Sequence, residues 1–442
     1  MSKLSLTNSE FLSFRPKYTS DLSKLQRYVG AAVDWEATHG LLFKAPKPSC
    51  DQSSNSSSKE GWMESALIPA PVSFAPSPIP RQEFEKVVAL QPTLNQLFDK
   101  VSKDHEFLIS TLNSLGSADE FTSRIFTMYV QLHSLGVKKP AVIGIHRSDY
   151  LIHAPDNEPD ASPKAKQVEF NTIASSFASL SSIVGNFHRY MLGRTGYKGL
   201  LEDGDILKDQ LPENESLTSI GDALASGFKL YGNKDAVIVM VVQPGERNVY
   251  DQRWIETRLW ERHNIAVVRM TFAEINDKCA TDSESRLFMF LGDADKAAFV
   301  RGCFVGLYPL DESAEGIKAY QDAISNPANY VVKPQREGGG YNTYGNDIPS
   351  LLKGLSEEER KAYILMDLIR APGFKNVLLR EGKLIAGEVV SELGIYGIWV
   401  SDANDNVVVN RHGGHLLRTK ASDVYEGGVA AGFAVIDSPL LV

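Results

Sequence analysis

Tyr330-Val331-Val332-Lys333-Pro334-Gln335-Arg336-Glu337-Gly338-Gly339-Gly340-Tyr341-Asn342-Thr343-Tyr344-Gly345 is the stretch on which the reading of this chain turns. Tyr330, Val331 and Val332 suit a short strand, because aromatic and β-branched side chains pack well on a pleated surface. Lys333 leaves that strand, and three glycines follow whose bare backbone lets a ligand approach closely. Consecutive unhindered N–H groups can point at anionic oxygens. Lys333 and Arg336 add positive charge, and Glu337 is placed to hold Mg²⁺ against the same anion. The chemistry is that of a phosphate cradle. It is not a Walker loop, since no Gly-Lys-Ser/Thr follows the glycines. A hinge with exposed charges fits the glycines equally well, because a lone Gly-rich loop is a weak signal.

The chain has 442 residues, beyond the roughly 250–300 at which a single core stops growing, so two or more structural units are expected. Its 43% hydrophobic and 23% charged residues are those of a soluble globular protein. A net charge of −9 argues against nucleic-acid or anionic-membrane partners. No apolar run approaches the ~18 residues of a membrane span, and the N-terminus has no signal-peptide core. Cys50, Cys279 and Cys303 have neither metal nor redox spacing, which predicts a reducing, cytoplasmic location. His412 and His415 flank two glycines with no third ligand nearby, a turn rather than a zinc pair.

Along the chain, Leu22, Leu25, Tyr28 and Val29 predict a helix over 20–34, capped by Ser20 or Asp21. Residues 45–61 are too polar to bury anything and read as a disordered, solvated loop. The prolines of 69–80 predict an extended segment laid across a surface, neither helix nor central strand. From Glu83 to Leu135 the pattern is helical. Pro92 is expected in a first turn, and Leu94, Leu97, Phe98 and Val101, then Phe121, Ile125, Phe126 and Tyr129, are expected as core stripes. Ala141–Ile145 reads as a buried strand ending in His146-Arg147-Ser148-Asp149-Tyr150.

Val168 to Ile173 alternates as a strand, which puts Glu169 and Asn171 on one face. Two oxygen ligands so spaced can share one hard cation, although a solvent-facing strand edge alternates in the same way. Ser175–Ser182 suits a substrate-facing turn or simple helix capping. An apolar run over 236–242, a loop, a helix carrying Trp254 and Trp260, and a strand over 265–268 describe a parallel α/β unit. Ligands of such units sit beyond the carboxyl ends of the strands, where Glu246, Asn248 and Gln252 fall. The tail holds a second Gly-rich element, Glu426 to Gly432, read either as a mobile loop near a ligand or as tight terminal packing.

Glu-Phe-Asn-Thr-Ile at 169–173, Gly-Glu-Arg-Asn at 245–248, Lys-Pro-Gln-Arg-Glu-Gly-Gly-Gly at 333–340, Ser-Glu-Leu-Gly-Ile-Tyr-Gly at 391–397, Leu-Leu-Arg-Thr-Lys at 416–420 and Gly-Gly-Val-Ala-Ala-Gly at 427–432 together closely resemble the eukaryotic glutathione synthetase family. The resemblance runs in order from the proline-rich segment to Val442. It implies an α/β fold, a circularly permuted ATP-grasp with an inserted, truncated parallel α/β substrate-binding domain. It further implies a cytoplasmic homodimer that uses ATP and Mg²⁺ to join γ-glutamylcysteine to glycine.

By that resemblance Glu169, Asn171 and Glu337 hold Mg²⁺. The nucleotide is met by Glu169, Lys333, Glu337, Gly338, Gly339, Gly340, Asn342 and Tyr344, by Met366, Asp367, Leu368 and Ile369 along the adenine, and by Glu392, Lys420 and Glu426. The peptide substrate falls to Arg147, Ser175, Ser176, Glu246, Asn248 and Gln252, with Arg418, Val429 and Ala430 near the reacting end. Arg147, Lys333 and Arg418 are the expected catalytic residues. The two arginines suit carboxylates because a guanidinium donates two parallel bonds.

One departure from the family stands out. Between Phe288 and Phe304 the family carries a long block, with an Arg-Asp-Gly-Tyr stretch and a lysine that contacts ATP, for which this chain has only a few residues. The domain limits expected are an N-terminal ATP-grasp part over 1–230, the shortened substrate unit over 231–305, and the lid with the C-terminal part over 306–442. Three readings follow: a glutathione synthetase with turnover lowered by the gap, a non-catalytic nucleotide-binding or dimer-partner isoform, or a related ligase that takes another amino acid in place of glycine, against which the intact Val429-Ala430 loop argues weakly.

Overall fold

The computed structural model describes residues 6–13, 22–45, 66–113, 120–134, 141–196, 206–278, 303–335, 340–424, 428–429 and 432–442. Its main sheet runs Phe374–Arg380 (β13), Val72–Ser73 (β3), Ala434–Asp437 (β16), Val407–Ala421 (β15), Lys383–Asp402 (β14), Ala141–His153 (β5) and Lys164–Asn171 (β6). All neighbours pair antiparallel except β16 with β3. Side chains alternate between the two faces of each strand. Tyr150, Ile152, Leu393, Ile395 and Leu417 meet the helix Arg81–Val101 through Phe84, Val87, Leu90 and Leu94. Tyr396, Ile398, Val400 and Leu416 lie under the helices Ser23–Thr38, Ala178–Thr195 and Ser216–Tyr231.

A second sheet is ordered Thr343–Tyr344 (β11), Tyr330–Pro334 (β10), Tyr363–Asp367 (β12) and Leu307–Pro309 (β9). The helices Ala314–Ser325 and Asp347–Gly354 cover one side through Ala319, Ala323, Ile348 and Leu352. Its other side joins the main sheet where Val331, Met366 and Ile369 pack with Leu151 and Val168. Leu42–Lys44 (β1) pairs antiparallel with Leu67–Pro69 (β2), and Pro439–Leu441 (β17) runs parallel to Ser77–Ile79 (β4).

The expected parallel α/β unit is present as Ile238–Val241 (β7), the helix Val249–His263, and Val267–Met270 (β8). Ile238 and Val267 pack on Ala225, Leu259 and Ile265. Val239, Val241 and Val268 are exposed on the opposite face, although parallel strands are ordinarily covered on both. Among the described residues this unit has two strands.

Several expectations are corrected. The 69–80 segment is buried from Val72 to Pro80, with β3 inside the main sheet. Its prolines fall outside β3, so they leave that ladder intact. Pro92 lies in the middle of the helix Arg81–Val101 rather than in its first turn, and its carbonyl accepts from Asn410 Nδ2 at 3.0 Å. In the helix Glu120–Ser134 the supposed core residue Ile125 is exposed, while Phe126 and Tyr129 are half-buried. That helix turns Ile125, Met128 and Leu132 outward, the side chain of Phe121 lies outside the described residues, and periodicity alone misassigned Ile125. The helix expected over 20–34 runs Ser23–Thr38, four residues beyond the expected end, and its cap candidates Ser20 and Asp21 lie outside the described residues. β5 extends to His153, its burial is deepest over His146–Tyr150, and His412 and His415 sit within β15 rather than in a turn. The 46–61 part of the polar loop lies outside the described residues. Also among the described residues, no helix is long and apolar enough to cross a membrane.

Candidate active site

The face of the main sheet that carries Val400, Ile398 and Tyr396 changes character just beyond Tyr396, past the start of the helix Ala178–Thr195. The next outward positions on β14 are Gly394 and Glu392. Register places Arg147 opposite Asn171 and Tyr396, Asp149 opposite Glu169 and Gly394, and Glu392 opposite Arg418. Lys420 continues the row, opposite Val390. Period-two alternation on four adjacent strands therefore gathers Glu169, Asn171, Arg147, Asp149, Glu392, Arg418 and Lys420 on one face.

Asp149, which sequence reasoning did not single out, ties this group together. Its carboxylate accepts from Arg147 Nε at 2.7 Å and Nη2 at 2.8 Å, a two-bond fork, and from Arg418 Nη2 at 3.0 Å and Asn171 Nδ2 at 3.1 Å. Burial pushes its pKa up, but the charges of Arg147 and Arg418 outweigh that and hold it below the usual aspartate value. The available signal was an Arg and an Asp two residues apart on one strand face. Gly394 makes room for the fork, since a Cβ there would come within 2.7 Å of Asp149 Oδ1. Arg418 also pairs with Glu392, so the carboxylate expected to take a nucleotide hydrogen bond is held by that arginine.

Although Glu169 is exposed at the sheet edge, partial desolvation by the surrounding protein raises its pKa, and the nearby carboxylates Asp149 and Glu392 raise it further. Asn171 spends its Nδ2 protons on Asp149 and on Glu169 Oε1 at 3.2 Å, which leaves its carbonyl oxygen as a donor to metal. Two such oxygen donors, one of them a carboxylate, fit a hard divalent cation. No set of three or more His, Cys, Asp or Glu among the described residues is placed to hold a metal. Mg²⁺ ordinarily takes one or two carboxylates and completes its shell with phosphate oxygens and water. The third expected ligand, Glu337, lies outside the described residues, as do Gly338, Gly339, Glu426 and Ala430.

Lys333 lies on β10, with Nζ donating to the Val168 carbonyl of β6 at 3.3 Å. The second sheet thereby brings a cation beside the Glu169 strand. Gly340, with φ of +95°, marks the end of the glycine run in a backbone state suited to glycine. Asn342 Nδ2 donates to Tyr344 Oη at 3.4 Å. Met366 and Ile369 are buried at the junction of the two sheets. The Asp367 carboxylate turns away from that junction to accept from Gly306 N at 2.9 Å, and Leu368 N donates to Asn329 O.

On the peptide side, Ser175 Oγ donates to Ile145 O at 3.4 Å. The Ser176 carbonyl accepts from Tyr396 Oη at 2.7 Å and from Arg147 Nη1 at 3.3 Å. Asn248 stands at the N-cap of the helix Val249–His263, where its N–H donates to Glu246 Oε1 at 2.7 Å and its buried Oδ1 has no partner among the described residues. Gln252 Oε1 accepts from Arg269 of β8, a second residue that sequence reasoning missed. Val429, within the Gly-rich element, is buried in the core. The structure thus brings Glu169 and Asn171 together with Arg147, Arg418, Ser175 and Ser176, and sets Glu246, Asn248 and Gln252 on the neighbouring α/β unit.

The family described as "Eukaryotic glutathione synthase, ATP binding domain" matches residues 22–441. The glutathione synthetase of Dictyostelium discoideum is 32% identical over 489 residues, covering 95% of this chain and 99% of its own length. That of Homo sapiens is 33% identical over 485 residues, with 95% and 97% covered. The chloroplastic enzyme of Solanum lycopersicum is 33% identical, with 96% and 85% covered. These matched stretches exceed the 442 residues of the chain, so the relatives hold internal residues without counterparts here. A solved structure of a glutathione synthetase-like effector from Globodera pallida, in its apo form, superposes with a TM-score of 0.73 at 20% identity, covering 97% of this chain and 99% of that one, a likeness of fold. With almost its whole length matched in this way, the chain belongs to the eukaryotic glutathione synthase family.

Proposed function

We propose that the chain is a glutathione synthetase. In this reading it joins γ-glutamylcysteine to glycine at the expense of ATP, through an acyl phosphate, and releases glutathione, ADP and phosphate. The observation that carries this reading is the Arg147–Asp149–Arg418 cluster beside Glu169 and Asn171 on one sheet face. A carboxylate resists attack by an amine until it carries a leaving group, so its activation by phosphate needs positive charge over both the carboxylate and the transferring phosphoryl group. Arg147 and Arg418 supply the first, and Lys333, with Lys420 on β15, supplies the second.

Mg²⁺, held by Glu169 and Asn171 with Glu337, would neutralise phosphate charge during transfer. Ser175, Ser176, Glu246, Asn248 and Gln252 orient the dipeptide. The Gly-rich segments around Gly340 and Val429 exclude water from the acyl phosphate. No side chain is required as a covalent nucleophile. The gap between Phe288 and Phe304 removes contacts to the peptide and to ATP, and with them part of the rate. A homodimer in the cytoplasm belongs to the same reading.

ADP release by the purified chain with Mg·ATP, γ-glutamylcysteine and glycine, omitting each in turn, tests the assignment. Release that needs both amino substrates is the expected result. Glu169→Ala should lower it by about 10² and raise the Mg²⁺ concentration needed for half-maximal rate. ATP hydrolysis indifferent to both amino substrates would overturn the ligase reading.

A further inference from the structure

The turn Ala174–Phe177 holds Ser175 and Ser176 between two non-glycine residues in left-handed backbone conformations, Ala174 with φ of +51° and Phe177 with φ of +72°. Such conformations persist in bulky residues only where the surroundings over-determine them. Phe177 is also the N-cap of the helix Ala178–Thr195, and it offers no side-chain cap. The first N–H groups of that helix would be orphaned. Two of them, with the N–H of the cap residue, are satisfied from another element. The carboxylate of Asp251, on the helix Val249–His263, accepts from Phe177 N at 2.6 Å, Ser179 N at 2.9 Å and Leu180 N at 3.1 Å, while Ser179 Oγ donates to the Asp251 carbonyl at 2.8 Å. Asp251 is almost fully buried. Its neighbour Gln252, and Asn248 one turn earlier, are dipeptide residues in the proposed function.

We infer that Asp251 is a positioning residue for the dipeptide, one carboxylate that sets the Ser175–Ser176 turn and locks it to the helix bearing Asn248 and Gln252. The inference rests on the ligase reading of the same site. From the opposite side the turn is held by Tyr396 Oη and Arg147 Nη1, both on the Ser176 carbonyl, so Asp251 completes a clamp whose other jaw is the main sheet. It also fills the positive end of the helix, which would otherwise attract the substrate's own anion. Dipeptide carboxylates are thereby left to Arg147 and Arg418. The nucleotide side is not part of this clamp. Lys333 and Met366 belong to the second sheet and Ile369 follows it, and none of them touches the turn or Asp251 through any bond described above.

The asymmetry gives the test. In the full chain, Asp251→Asn keeps the shape but replaces an acceptor oxygen with an amide that cannot accept from an N–H. It should raise KM for γ-glutamylcysteine about tenfold and leave KM for ATP within about twofold. Asp251→Ala should behave similarly, with added formate restoring part of the dipeptide KM. Should both variants fail to fold, Ser179→Ala, which deletes one bond of four, decides: about a threefold rise in the dipeptide KM alone is expected. Wild-type dipeptide KM in these variants, or equal rises in both KM values, would overturn the positioning role while the ligase reading stands. A wild-type chain without dipeptide-dependent ADP release would overturn both.

Discussion

Asp149→Ala is expected to cost about 3–5 kcal/mol of folding stability and to bring ADP release close to background. The side chain is 1% exposed and pairs with two guanidiniums. Without it Arg147 loses its buried partner and faces Arg418, which keeps Glu392, and breaking a buried pair on one side costs more than the pair contributes to begin with. Both arginines then swing from the positions in which they meet the reacting carboxylate. Asp149→Asn separates the two effects, because it keeps the volume and one acceptor oxygen while removing the charge. Guanidinium-chloride unfolding measures the first effect and ADP release the second. Since the folded-state pKa lies below the ordinary value, the stabilisation is present above about pH 4 and is lost as pH falls through the folded value. Wild type and Asp149→Asn should therefore converge in acid. Equal stability of the two at pH 7 would show that the fork contributes nothing.

Glu36→Gln should stabilise the chain by about 3 kcal/mol at pH 7. Glu36 is buried in the helix Ser23–Thr38, and neither carboxyl oxygen has a partner among the described residues. Burial pushes its pKa up to about 9 from an ordinary 4.5. The folded chain thus holds a proton that the unfolded chain gives up across that interval, and stability falls as pH rises from about 4.5 to 9. An amide of the same shape has no proton to lose. The two unfolding curves should coincide near pH 4.5, separate steadily through neutrality, and run parallel above pH 9. A constant offset at every pH would mean that Glu36 ionises freely in the folded chain.

The layout of Glu169 and Asn171 in the candidate site could be read in the sequence because strand periodicity is a local property. Glu169 and Asn171 share a face, as their spacing required, and the α/β unit appeared where an apolar run, a helix and a second strand followed one another. Asp149 was harder to find. Its role depends on Arg418, brought beside it only by the pairing of β5 with β14 and of β14 with β15. Asp251 had the same difficulty, since a carboxylate that caps another helix carries no signal in its own helix. The proline-rich segment misled for a related reason. Prolines argue against a central strand, yet β3 needs only two residues between them. The helix Glu120–Ser134 shows the limit of periodicity, which states that an apolar face exists but not what it meets.

The place of β3 in the main sheet bears on how the chain becomes folded. Val72–Ser73 lies between β13 and β16, strands contributed from residues 374–380 and 434–437. Pairings this distant in sequence close very long loops before they gain any contact energy, which makes folding slow. During synthesis, residues 72–79 must wait for almost the entire remainder of the chain, with apolar side chains such as Val72, Phe74 and Ile79 still uncovered. The growing polypeptide is accordingly prone to aggregate until β16 and β17 have been made. Loss of those last two short strands would strand a segment from the opposite end of the molecule.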